Sequence, residues 1–274
     1  MTDPLSAAHV RFRSAPDVDR DPTLDLAATL YFPIVKPSRP SPGLVVGHGA
    51  GSRRERHDDF CREACRQGFV VLAFDFRGHG DSGGSGDGPL ELDVLAAADL
   101  LRAQPAVDGD RLCYRGSSMG GFYGLKAAPE AGFAAIALLC PASEETILDA
   151  LADIDEHQVD GETTAQKPAF APQVAPPRWD TGGLRSYFER QDSERLAARV
   201  ECPVLLVHAR GDDVVPFAHS LLLAGWFSTE TTLLALEGGT HTTAQHDQRV
   251  HRYTAAWLWE KTAGPDFNAH TGRI

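Results

Sequence analysis

Gly116-Ser117-Ser118-Met119-Gly120 sets a serine between glycines where an apolar run, Arg111 to Ser117, gives way to a segment beginning Gly120-Gly121-Phe122. A serine hydroxyl is a weak nucleophile unless it is held exposed beside a base, and a sharp strand-to-helix turn flanked by glycines does this. Ser118 is therefore the first candidate for a reacting atom. The chemistry needs two further groups, an imidazole to take the proton and a carboxylate to orient the imidazole. The pair Asp212-Asp213 follows the apolar run Val204 to Ala209, and His241 ends Gly238-Gly239-Thr240-His241 beyond the run Thr231 to Leu236. Serine, then acid, then histidine is one of the chain orders known for such a triad.

The same pattern occurs again as Gly80-Asp81-Ser82-Gly83-Gly84, and with 26 glycines in 274 residues a chance match is readily met. This second copy resembles the serine signature of trypsin-like proteases, which are all-β and usually disulfide-linked. Context separates the two. Ser82 lies in Arg77 to Gly88, so rich in glycine that it reads as an irregular loop with no strand entering and no helix leaving. Among the histidines, His208 falls inside a predicted strand and His219, His246 and His251 fall on predicted helices, which leaves His241 best placed as the base.

These groups must be positioned by the elements around them. His9 to Arg13 and Leu24 to Phe32 read as an opening antiparallel pair of strands. After the proline-rich break Pro33 to Pro42, Leu44-Val45-Val46 forms a short buried strand that ends in His48-Gly49-Ala50-Gly51. Glu55 to Gln67 has helical spacing with Gly68 as its stop, and Phe69 to Phe76 is the next strand. Leu90 to Ala103 is an amphipathic helix, Leu112 to Tyr114 the strand that feeds Ser118, Gly120 to Ala128 a helix and Ala134 to Cys140 a strand. Val204 to Ala209, Pro216 to Trp226, Thr231 to Leu236 and Gln245 to Lys261 repeat the alternation. Strands alternating with crossover helices predict a mostly parallel sheet covered on both faces, with ligands gathered beyond the carboxyl ends of its strands.

One stretch breaks the rhythm. Ser143 to Arg199 holds an acidic helix, Glu144 to Glu156, then a stretch rich in Pro, Thr and Gly through Gly183, then a helical segment, Leu184 to Val200. An excursion of this length predicts a cap insertion over residues 142–200 within a single domain spanning residues 1–274, not a second domain. Phe170, Trp179, Tyr187 and Phe188 either line a hydrophobic pocket there or form the cap's own small core.

The net charge is −12 and the basic residues are scattered, so neither nucleic acid nor an anionic membrane surface is an expected partner. Five cysteines, an odd number without closely spaced pairs, point to a reducing compartment, and Cys61-x-x-x-Cys65 lacks the further ligands of a zinc site. The chain has no charged-then-apolar leader and no run of about 18 apolar residues, so a cytoplasmic location without membrane insertion is expected. Composition carries no signature of oligomeric state.

Over nearly its whole length the chain resembles the α/β-hydrolase superfamily. The resemblance rests on His48-Gly49-Ala50-Gly51, on Phe74-Asp75-Phe76-Arg77-Gly78-His79-Gly80-Asp81-Ser82, on Gly116 to Gly120, on Gly211-Asp212-Asp213-Val214-Val215-Pro216 and on the late His241. It is most similar to small esterases of the feruloyl-esterase and dienelactone-hydrolase-like branches, to serine aminopeptidases and to acylglycerol lipases. Dienelactone hydrolases proper carry Cys at the elbow and haloalkane dehalogenases Asp, where this chain has Ser118. The resemblance implies an eight-stranded, mostly parallel sheet with helices on both faces and a serine hydrolase of carboxylic esters that needs no cofactor and no metal. It implies Ser118 as nucleophile, His241 as base and Asp212 as acid, since the family places the acid four residues before the proline, here Pro216; Asp213 is the alternative. The backbone N–H groups of Ala50 and Met119 would form the oxyanion hole. His48 and His79 would organise loops. Amide hydrolysis or acyl transfer through the same triad is the rival activity, and a noncatalytic binding protein on this fold is the rival outside enzymes.

Overall fold

Runs of β-branched and apolar residues become eight strands of one sheet in a computed structural model that describes residues 5–14, 24–33, 39–86, 88–159 and 180–262. The strands are β1 (Leu5–Arg13), β2 (Asp25–Pro33), β3 (Ser41–Gly47), β4 (Val70–Phe74), β5 (Val107–Ser117), β6 (Ala135–Leu139), β7 (Val204–Ala209) and β8 (Thr231–Leu236). Their spatial order is β1-β2-β4-β3-β5-β6-β7-β8. β1 with β2 and β2 with β4 pair antiparallel, and the remaining neighbours pair parallel. Central strands such as β4 and β6 are buried along their whole length, as a sheet covered on both faces requires.

Helices α1 (Asp58–Gln67), α2 (Glu91–Arg102), α3 (Met119–Ala131), α4 (Glu144–Val159), α5 (Thr181–Phe188), α6 (Ser193–Ala197), α7 (Phe217–Trp226), α8 (His241–His246) and α9 (Gln248–Thr262) follow in chain order. One face of the sheet packs Val45, Leu72 and Leu138 against α2, α3 and the end of α7, and the other packs Val46, Val71 and Leu139 against α1 and α9. The stretch in which a cap is expected contributes α4, α5 and α6. Phe170 and Trp179 lie outside the described residues.

Two helix expectations are corrected. Leu184 to Val200 divides into α5 and α6, because the Asp192 carboxylate accepts from the Arg195 N–H at 3.1 Å and starts a new helix there. Gln245 to Lys261 divides at Asp247, whose backbone is extended and whose carboxylate accepts from the Arg249 N–H at 2.7 Å. His241 is thereby the first residue of α8, behind a Thr240–Thr243 capping box.

The turn from β5 into α3 holds Ser118 at φ 51°, ψ −118°, a positive φ that a residue with a side chain adopts only when its surroundings hold it there. Its N–H donates to the Leu139 carbonyl at 2.9 Å, and its own carbonyl accepts from Gly121 at 2.8 Å and Ala142 at 3.1 Å. Below the turn the buried Tyr114 ring fills the space, with its hydroxyl donating to the Gly120 carbonyl at 2.6 Å. A Cβ at Gly124 would stand 1.9 Å from this ring, and one at Gly120 would stand 2.5 Å from the His48 carbonyl.

Buried ionic groups fix the neighbouring loops. Asp75 accepts from the Arg54 guanidinium and from the backbone N–H groups of Arg54 and Asp81, while Arg77 bonds Asp93 at 2.6 Å. Behind β5, the fully buried Arg115 donates to His57 Nδ1 at 2.7 Å and to the Gln245 carbonyl at the end of α8 at 2.9 Å, and lies 4.5 Å from the Phe60 ring centroid. The five cysteines are free thiols, four of them buried.

Two tests follow from this packing. Gly124→Ala should destabilise the protein by about 1–3 kcal/mol through overpacking on Tyr114, whereas Gly225→Ala, with open space around its Cβ position on α7, should be neutral or stabilising; equal midpoints in urea unfolding would contradict this. Burial lowers His48 and His246 to about 4 and His79 to about 3. The unfolded chain, with histidines near ~6.5, therefore binds more protons below that pH. Stability should be complete above pH ~6.5 and fall as pH drops toward 4, and a urea midpoint unchanged between pH 7 and pH 5 would contradict the neutral burial of these rings.

Candidate active site

Ser118 is 2% exposed, and the turn of Gly49 approaches it so closely that a Cβ at Gly49 would stand 3.3 Å from the Ser118 Cβ. Met119 opens α3, so its N–H has no acceptor within the helix, and the helix dipole places partial positive charge there. Ala50, Ser118 and Met119 line one cavity of about 470 Å³, whose apolar wall includes Leu90, Tyr123, Ile147, Leu151, Leu184 and Phe188. Helices α4 and α5 thus supply one side of it. Tyr187 points elsewhere, donating to Glu91 at 2.7 Å and accepting from Lys126 at 2.6 Å.

The loop after β7 brings Asp212 to His241. His241 Nδ1 lies 2.8 Å from Asp212 Oδ2, so Nδ1 carries the proton and Nε2 keeps its lone pair. Oδ1 of the same carboxylate accepts from the Val214 and Val215 N–H groups at 2.9 and 2.8 Å. The Asp212 side chain has no exposed surface, and that of His241 is 10% exposed. Burial alone would push the Asp212 carboxyl up, but hydrogen bonds from His208 and His241 outweigh it and hold the group well below the usual carboxylate range. Asp213 is exposed and lines the cavity instead. Ser118 Oγ makes no hydrogen bond; in ligand-free enzymes the bonds between reacting groups are often long and tighten only when substrate binds.

A further residue that sequence reasoning set aside stands behind the acid. His208 Nε2 lies 3.0 Å from the Val215 carbonyl and 3.1 Å from Asp212 Oδ2, both acceptors, so this nitrogen carries the proton. Its Nδ1 then accepts from the Ser220 hydroxyl at 2.7 Å. The signal available in the chain was the spacing of His208 four residues before Asp212, which a strand position alone did not make legible.

The other candidates have structural partners. Ser82 donates to the Asp75 carbonyl at 2.6 Å and accepts from the Ala27 N–H at 2.9 Å, which pins its loop against β2. His48 donates from Nδ1 to the Gly49 carbonyl at 2.7 Å and accepts from the Phe76 N–H at 3.1 Å, so neither nitrogen is available as a base. His79 is buried with Nδ1 at 3.1 Å from the Arg77 carbonyl. Cys140, Asp212 and His241 bring possible metal-ligating atoms within 4.8 Å of one another. Their bonds are already made internally: burial pushes the Cys140 thiol up, it donates to the His241 carbonyl at 3.4 Å, and Asp212 and His241 bond each other. A metal there would have to displace these bonds.

The geometry separates the adjacent acids by experiment. In a p-nitrophenyl ester assay, Asp212→Asn should lower turnover by up to ~10⁴-fold by releasing the imidazole into the wrong tautomer. Asp213→Asn should cost far less. Comparison at equal folded fraction by circular dichroism decides it, and a larger loss at Asp213 would overturn the assignment.

The chain's kinship agrees with this architecture. The model of the prolyl oligopeptidase family matches residues 61–264. The quorum-quenching protein AidA of Acinetobacter baumannii is 33% identical over 122 residues, covering 42% of this chain and 40% of that protein. The uncharacterized peptidase YtmA of Bacillus subtilis is 30% identical over 159 residues, covering 57% of each. The match thus spans about half the length of these curated relatives. Among solved structures, the Est1E protein of Butyrivibrio proteoclasticus with ferulic acid bound superposes with a TM-score of 0.69 at 24% identity, covering 90% of this chain and 99% of that one. Protein PA2218 of Pseudomonas aeruginosa gives a TM-score of 0.77 at 17% identity, with 94% of each chain covered. With three quarters of its length matched by one family model and its sheet order and elbow in place, the chain belongs to the prolyl oligopeptidase family and has the α/β-hydrolase fold.

Proposed function

We propose that this protein is a serine esterase that cleaves a small carboxylic ester through an acyl-enzyme on Ser118. The observation that carries the proposal is the 2.8 Å bond from His241 Nδ1 to Asp212, which leaves Nε2 unprotonated and fit to accept the Ser118 proton. In the first step Ser118 Oγ attacks the ester carbonyl as His241 takes its proton. The negative charge on the carbonyl oxygen is met by the N–H groups of Ala50 and Met119. Collapse of the tetrahedral intermediate expels the alcohol, which receives the proton from His241, and the acyl group stays on Ser118. A water activated by the same imidazole then releases the acid and restores the enzyme. Nothing in these steps draws on a cofactor.

Within a single domain, α4 and α5 act as a cap whose wall of the cavity limits which ester fits. A hydrolase of this kind, with five free thiols and a net charge of −12, suits the cytoplasm. Amide hydrolysis is the second reading, favoured by the family's name and by the peptidase among the relatives.

A panel of aryl esters of graded acyl length with one matched amide tests the proposal. Ester hydrolysis should exceed amide hydrolysis, a fluorophosphonate should label the Ser118 peptide and not the Ser82 peptide, and Ser118→Ala should abolish turnover. Label on Ser82, or turnover retained in Ser118→Ala, would sink the mechanism; faster cleavage of the amide would keep the triad and replace the substrate class.

A further inference from the structure

His219 lies in the first turn of α7 and lines the same cavity as Ser118. It is 9% exposed, and its Nε2 is buried with no hydrogen-bond partner. Burial lowers this imidazole to about 4, with Glu144 and the Ala142 carbonyl opposing, so the ring is neutral at physiological pH. Two other polar side chains of that wall engage each other, since the Ser143 hydroxyl bonds Thr146 Oγ1 at 2.8 Å and accepts from the Thr146 N–H at 3.0 Å. A buried polar atom without a partner is unfavourable, and a bound group that supplies the missing bond removes the penalty. Around it the wall is apolar: Tyr123, Ile147, Leu151, Leu184 and Phe188.

We propose that His219 is a specificity-determining residue that hydrogen-bonds a hydroxyl group on an otherwise apolar substrate. This rests on the esterase reading and adds the chemistry of the half of the ester that fills the cavity. A hydroxyl both donates and accepts, so it pairs with Nε2 in either tautomer of a neutral ring, whereas an ether or ketone oxygen serves only one. A carboxylate or phosphate fits poorly, because the ring offers no charge and the exposed Glu145, Asp149 and Asp213 line the same cavity. A site built around such a bond discriminates far more strongly than an apolar wall, because the analogue lacking the hydroxyl leaves the polar atom unpaired.

The test uses matched pairs: the p-nitrophenyl esters of hexanoic acid and of its terminally hydroxylated analogue for the acyl side, and hexyl acetate with its hydroxylated analogue for the alcohol side. On one side the hydroxylated member should be preferred by about tenfold or more in kcat/KM. His219→Phe should bring that ratio close to one, and His219→Gln, which keeps hydrogen-bonding atoms, should restore part of it. Calorimetric binding of the same pairs to Ser118→Ala reads the contact without turnover and should show the same order. Equal affinities on both sides, a preference that survives in His219→Phe, or tighter binding of amine-terminated analogues would overturn the inference even if every ester is cleaved. A hydroxyl preference in binding with no ester cleaved by the wild-type protein would instead overturn the esterase reading and leave the role of His219 standing.

Discussion

Beneath Ser118 the Tyr114 ring takes the volume that side chains at Gly47, Gly116 and Gly124 would need, and its hydroxyl bonds the Gly120 carbonyl at 2.6 Å. Three backbones, those of β3, β5 and α3, can therefore come together at one place. Their convergence brings the Gly49 turn against Ser118 and sets Ala50 and Met119 along the same cavity. The positive φ at Ser118 is the local cost, offset by the four hydrogen bonds, from its N–H to Leu139 and to its carbonyl from Gly121, Phe122 and Ala142, that hold its peptide groups. Stacked so, the serine follows directly on the fully buried last six residues of β5.

The electrostatics of the second half of the site turn on one carboxylate. Asp212 receives two backbone N–H groups on one oxygen and His241 on the other, with His208 beside it. Such a set keeps the group ionised in spite of burial. It also spreads the charge over several donors, so the pull on the His241 proton is moderated as well as aimed. The helix that carries His241 is tied from behind by Gln245, whose side chain donates to the His241 carbonyl at 3.2 Å and whose own carbonyl accepts from Arg115 and His251.

Much of this was legible in the chain because it depends on local chemistry. The glycines about Ser118, the apolar runs of β3 to β8 and the order of serine, acid and histidine each encode a nearby backbone need. The choice of Asp212 over Asp213 rested on resemblance, measured from Pro216, and the structure brings Asp212 to His241 while Asp213 faces the cavity. His208 and His219 were passed over since one sat in a strand and the other on a helix, and nothing in either segment tells that the two rings end near the loop after β7. The breaks at Asp192 and Asp247 were missed for a different reason: their carboxylates cap a following segment, and apolar periodicity does not register a competing hydrogen bond.

Arg115 has a consequence for how such a chain can change over generations. Its guanidinium bonds His57 at the start of α1 and the Gln245 carbonyl at the end of α8, joining segments more than a hundred residues apart in a dry interior. Loss of the arginine alone would strand His57 Nδ1 without a donor and leave that carbonyl to His251, and loss of His57 alone would leave a buried cation with one partner fewer. Replacement of both by apolar residues of similar volume removes the charge and much of the demand for partners together. The two positions are therefore epistatic: each single step crosses a valley in fitness that the paired step avoids, and lineages would exchange the polar pair as a unit or keep it.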